Sequence, residues 1–100
     1  MAKQQGAIKE RSEIAYKTPD MYRVRMHNDD FTTMDFVVMV LCLVFFKSED
    51  DAVRLMLTIH CSGSAVAGIY PLDIAQSKVK KAKRLALENG FPLRITIEKD

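Results

Sequence analysis

The sequence predicts an α+β domain: a small three-stranded antiparallel sheet with three helices packed on it, ordered strand, helix, helix, strand, helix, strand. Two stretches carry much of that reading. "YRVRMH" (22–27) and "LRITIEK" (93–99) alternate apolar and polar residues with the period of a half-buried strand. Between them, three segments repeat apolar residues at helical spacing, each bounded by start or stop signals.

Residues 1–20 are polar and charged, carry few large apolar groups and close on "KTPD", so they read as a disordered extension ahead of a core domain at 21–100. In the first strand Tyr22, Val24 and Met26 share one face, and Arg23, Arg25 and His27 the other. "NDD" closes it as a polar loop. Thr32 with Asp35 three residues on has the form of a capping box, which starts the first helix near Thr33. That helix, "FVVMVLCLVFF", is apolar almost all round, with Phe36, Val37, Val40, Leu41 and Val44 expected as its core stripe. Ser48 and Asp51 open the second helix, and Glu49, Asp50 and Asp51 place negative charge at the positive end of its dipole. Ala52, Leu55, Met56 and Ile59 form its apolar side, and Gly63 ends it. "SAVAGIY" reads as the second strand. Pro71 leads into the third helix, whose buried stripe is Ala75, Val79, Ala82 and Ala86, and "ENGFP" stops it. In the last strand Leu93, Ile95 and Ile97 point inward, and Arg94, Thr96 and Glu98 outward.

One hundred residues suit a single domain with one modest core. With 48% apolar and 28% charged residues and no Trp, the composition is that of an ordinary soluble globular protein. A net charge of +2 is too small to argue for nucleic acid by itself. Cys42 and Cys61 stand in no metal-ligand spacing and read as reduced thiols of a cytosolic protein. The first twenty residues lack the apolar core of a signal peptide. The longest apolar run, Phe36 to Phe46, is eleven residues, against the roughly 20 that a membrane span needs.

The chemistry concentrates in "HNDDFTTMDFV" (27–37), where polar groups crowd against an apolar run. His27, Asp29, Asp30 and His60 offer nitrogen and oxygen donors, but no pair has the i, i+4 spacing of a helical metal site, and no metal or other cofactor is expected. There is no GxSxG, HExxH or phosphate-cradling glycine loop, and adjacent aspartates after a strand suit a solvated turn, so no catalysis is expected. Lys78, Lys80, Lys81, Lys83 and Arg84 make the third helix basic. No aromatic residues interleave with them, and a solvated face is preferred to an RNA site. One ligand class fits better. Met56, Ile59 and His60 occupy neighbouring surface positions of the second helix. If the "NDD" loop lies beside them, two carboxylates, an amide oxygen and an imidazole ring a Met-lined apolar hollow. Those acceptors suit an ammonium group attached to a hydrophobic side chain, as at a peptide's free N-terminus.

"NDDFTTMDFV", "MLTIH" beginning 22 residues after Met34, "GSAVAGIY", "DIAQSK" and "FPLRITIEK" together resemble the ClpS family over residues 21–100, in one register. ClpS proteins are bacterial and plastid adaptors that deliver N-degron proteins to a Clp AAA+ protease. The resemblance implies that Asn28, Asp29 or Asp30, and His60 hold the degron's α-amino group. It implies a side-chain pocket of Thr32, Met34, Val37, Met56, Ile59 and Leu93, with Met34 as a gatekeeper against β-branched residues. It further implies that Asp73 and Lys78 dock on the N-domain of an unfoldase of the ClpA or ClpC type, and that the N-terminal extension feeds toward its pore. His60 accepts from an ammonium only when neutral, so binding should weaken as it becomes protonated. The expected partners are thus the unfoldase and N-degron substrates, without nucleic acid or membrane, in a bacterial cytoplasm rather than a plastid stroma. Two other functions stay open: a docking-only modulator of the unfoldase without degron selectivity, and a small RNA- or ribosome-associated domain.

The chain departs from the family pattern at four places. Thr33 replaces a usual proline, which should loosen the first helical turn. His27 replaces an apolar residue at the pocket's edge and leaves the preference among Leu, Phe, Tyr and Trp open. Met39 and Leu43 replace charged residues; they either pack within the domain or form a patch for weak self-association.

Overall fold

The computed structural model describes residues 19–100. Residues 1–18 of the expected extension lie outside the described residues. The elements are β1 (Met21–His27), α1 (Met34–Leu43), α2 (Glu49–Ser62), β2 (Ser64–Pro71), α3 (Leu72–Glu88) and β3 (Arg94–Lys99). β1 is the central strand and pairs antiparallel with both neighbours, in the order β2-β1-β3. This is the predicted βααβαβ sandwich. α3 lies across all three strands, α2 contacts both β2 and α1, and the buried residues of α1 join the same core.

The alternation in β1 does what a half-buried strand requires. Val24 and Met26 are fully buried, and their neighbours Ala65, Ala67 and Ile95 are buried with them. The predicted stripes of α1 and α3 are all buried; in α2, Ala52 and Ile59 are buried while Leu55 and Met56 are only partly covered. Ser48 Oγ accepts the Asp51 N–H at 3.2 Å, and Gly63 caps the other end of α2 at φ +94°. The left-handed region favours glycine there because a Cβ would meet the adjoining carbonyl.

Two helix-boundary expectations are corrected. The α1 cap is Thr33 rather than Thr32: its hydroxyl accepts the Phe36 N–H at 3.2 Å. Thr33 therefore fastens the first turn instead of loosening it, worth about 1 kcal/mol for such a cap. The helix also ends at Leu43, short of Phe46. Beyond it the Val44 carbonyl is taken by the Lys78 ammonium at 2.6 Å, the Lys47 N–H returns to the Leu41 carbonyl, and Phe46 turns left-handed at φ 53°. Phe45 can then enter the core beside Tyr70, with ring centroids 6.4 Å apart. Tertiary packing ends a run whose composition alone would continue.

Met39 and Leu43 do not pack within the domain; they are 37% and 54% exposed. α1 turns Phe36, Val37, Val40 and Leu41 into the core, which leaves the outer i, i+4 pair of an all-apolar helix uncovered.

The open face of the sheet is polar. Arg25 donates to Glu98 at 2.7 Å and to Ser64 at 3.2 Å, and His27 Nε2 shares a 2.8 Å hydrogen bond with Thr96 Oγ1. Burial, then Arg94, then Arg25 push the His27 imidazole below its ordinary value, against a smaller opposing pull from Glu98. The unfolded chain therefore takes up this proton more readily than the folded one. The contribution of neutral His27 is complete above the ordinary imidazole value and is lost as the pH falls toward the lowered folded value. Chemical denaturation at pH 7 and pH 5 should show the wild type losing more stability than His27→Gln across that interval.

Candidate functional site

The site begins where β1 ends. The Asn28 N–H donates to the Gly63 carbonyl at 2.8 Å, while the Gly63 N–H closes α2 on the Ile59 carbonyl at 2.9 Å. This pair of bonds fixes the loop after β1 against the end of α2 that carries His60. It brings together two clusters 32 residues apart in sequence.

Asp29 then builds the loop. Its Oδ1 accepts the N–H groups of Phe31 (2.8 Å) and Thr32 (2.7 Å), and its Oδ2 accepts the Thr32 hydroxyl at 2.6 Å. Burial pushes the Asp29 carboxyl up, but the bonds from the Thr32 hydroxyl, the Thr32 N–H and the Phe31 N–H together outweigh it, and the net shift is downward. Its stabilising effect is thus present above the ordinary carboxylate range and lost as the pH falls through the lowered folded value. Asp29→Ala leaves three donors without their acceptor and should lower stability by about 1–2 kcal/mol, read by thermal unfolding at neutral pH. Asp30 makes none of these bonds and stays exposed.

Loop, α1 and α2 enclose a hollow of about 490 Å³. Asn28, Asp29, Asp30 and His60 supply its polar groups. Val37 and Ile59, both buried, and half-buried Met56 supply apolar wall, with Thr32 and the 45% exposed Met34 also lining it. Nine of the predicted site residues thus line one cavity.

Leu93 does not line it. The residue is buried in the core immediately before β3. His27 does not border it either, because strand alternation turns its ring to Thr96 on the open face of the sheet. Two lining residues were not anticipated, Phe31 and Thr33. Phe31 carried a signal: an aromatic residue between Asp30 and Thr32 serves no turn geometry, and it stands 75% exposed. Among the described residues no three His, Cys, Asp or Glu side chains group as a metal would need.

Asp73 and Lys78 meet at a second depression of about 300 Å³, shared with Val44, Phe46, Ile74 and Lys81. Besides its bond to the Val44 carbonyl, the Lys78 ammonium lies 4.3 Å from the ring centroid of Phe46 and 5.2 Å from that of Tyr70. Burial, then Lys81, push Lys78 below the ordinary lysine value. Lys78 therefore stands apart from the solvated basic face with which it was grouped; Lys80, Lys81, Lys83 and Arg84 are exposed. No helix among the described residues is long and apolar enough to cross a membrane.

Comparison with known proteins matches this geometry to one family. Residues 17–96 match the profile of the ATP-dependent Clp protease adaptor protein ClpS. The chain is similar to the ATP-dependent Clp protease adapter protein ClpS of Acetivibrio thermocellus, 45% identical over 91 residues, 91% of this chain and 92% of that protein. It is also similar to the same-named protein of Desulfotalea psychrophila, 47% identical over 98 residues, 98% of this chain and 96% of the relative. Among solved structures, Agrobacterium tumefaciens ClpS2 bound to L-phenylalaninamide superposes with a TM-score of 0.80 at 46% identity, covering 83% of this chain and 100% of that one.

Proposed function

From the premise that the chain belongs to the ClpS family of Clp protease adaptor proteins, we propose that it binds proteins whose first residue is bulky and hydrophobic, and delivers them to a Clp AAA+ unfoldase of the ClpA or ClpC type. The observation that carries this reading is one hollow with acceptors at Asn28, Asp30 and His60 and an apolar wall of Val37, Met56 and Ile59. An ammonium joined to a large apolar side chain satisfies both halves at once. Asp29 adds negative charge but has its oxygens engaged by the loop, so Asn28, Asp30 and His60 make the direct bonds. Met34 limits branching at the first side chain, and the loop residue Thr32 adds polar wall.

The Agrobacterium structure supports the reading, since L-phenylalaninamide carries a free α-amino group and an aromatic side chain. The energetics are sufficient: each charge-assisted hydrogen bond contributes about 1.5–3 kcal/mol, and burying a Leu or Phe side chain adds roughly 1.5–3 kcal/mol. The unfoldase docks at Asp73 and the neighbouring apolar groups, in the cytoplasm, while Lys78 shapes that surface by holding the end of α1.

Fluorescence titration tests the function. Peptides beginning with Phe or Leu should bind, and the same peptides N-acetylated, or beginning with Met, should bind far less well. Equal weak binding of all of them would point instead to a docking-only modulator, and tight, salt-sensitive RNA binding to a ribosome-associated role.

A further inference from the structure

Phe31 and Leu87 stand 75% and 81% exposed, far out for large apolar side chains. They are not scattered: with Gly90, Phe91 and Pro92 they line one shallow depression. A lone exposed leucine needs no explanation, but an apolar depression beside a binding hollow does. Phe31 also lines that hollow, so the two surfaces are continuous through one ring. The floor of the depression is firm. Phe91 packs at a tilt of 51° against the buried Phe36 with centroids 4.8 Å apart, and its N–H is held by the Ala86 carbonyl at 2.9 Å.

We propose that this depression is a subsite for an apolar side chain at the third position of the bound peptide. The inference rests on the degron reading above. With the ammonium at Asn28 and His60 and the first side chain against Val37 and Ile59, the peptide leaves over the rim, where Phe31 stands. An extended chain advances about 3.3 Å per residue and alternates sides, so its second side chain faces solvent and its third faces the protein again, about 6.6 Å on. That step is about the span of an aromatic ring, which is what separates the two surfaces. The lining has no charged side chain, so Leu, Met or Phe suits it and a charged residue does not.

Three peptides sharing one tail test this by fluorescence anisotropy: Phe-Ser-Leu, Phe-Ser-Ser and Phe-Leu-Ser, against the wild type and Leu87→Ser. Phe-Ser-Leu should bind about fivefold more tightly than the other two, the worth of one partly covered apolar side chain. Leu87→Ser, at an exposed position that leaves the melting temperature unchanged, should bring it down to their level without altering theirs. Equal affinities, a preference for Phe-Leu-Ser, or an advantage that survives Leu87→Ser would overturn the subsite. Failure of all three to bind, or equal binding after N-acetylation, would bring down the degron reading and the subsite with it.

Discussion

His60→Ala is expected to weaken binding of a Phe-initiated peptide by about 10- to 150-fold, the loss of one charge-assisted hydrogen bond of about 1.5–3 kcal/mol. The residue is exposed on the last turns of α2, so the substitution should move stability by no more than about 0.5 kcal/mol. Isothermal titration and a thermal melt on the same sample check both halves. Unchanged affinity would mean that the loop alone holds the ammonium. An N-acetylated peptide, which already lacks that charge, should bind wild type and variant alike. That invariance separates a lost acceptor from a general distortion of the hollow.

Met26→Ala should do the opposite. Met26 is fully buried on the central strand, opposite Ala65 and Ile95. Truncating it leaves a cavity that small neighbours such as Ala65 cannot fill, at a cost of about 2–5 kcal/mol. For a domain of this size that lowers the melting temperature by about 10–30 °C. Peptide affinity measured well below the new transition should stay within about threefold of wild type, because the loop's own bonds, Asn28 to Gly63 and Asp29 to Phe31 and Thr32, do not involve Met26. Differential scanning calorimetry together with titration at low temperature reads both. A parallel collapse of affinity would show that the loop depends on the packing beneath β1.

The contrast between these variants reflects what was readable from residues alone. Caps and stripes are local, so Ser48, Gly63 and the buried faces of α1 and α3 were legible from spacing. The end of α1 was not, because it is decided by Lys78, 34 residues away, bonding the Val44 carbonyl. His27 is instructive. Alternation along β1 put it on the face opposite Met26, family resemblance put it at the pocket's edge, and the structure sides with alternation. Most of the site was legible as a list of residues, since "NDD" is densely polar and "MLTIH" sets a histidine beside Met56 and Ile59 at helical spacing. What joins them is a backbone bond from Asn28 to Gly63, which no side-chain pattern encodes. Leu93 shows a related limit: an inward residue just before a strand can face the core or a cavity, and in this structure it is buried in the core and is not among the residues lining the hollow.

The central position of β1 also bears on how the molecule comes into being. β1, the first strand among the described residues, is paired on one side with residues 64–71 and on the other with residues 94–99. Its sheet therefore closes only after nearly all the described chain has been synthesised, and loop closures of that length are the slow events in folding small domains. Until then β1 keeps at least one edge unpaired and its apolar face incompletely covered, the kind of surface that chaperones recognise. The loop of residues 28–32 hangs from this strand and is bonded to Gly63, so the hollow it helps line takes shape late, with the sheet rather than ahead of it.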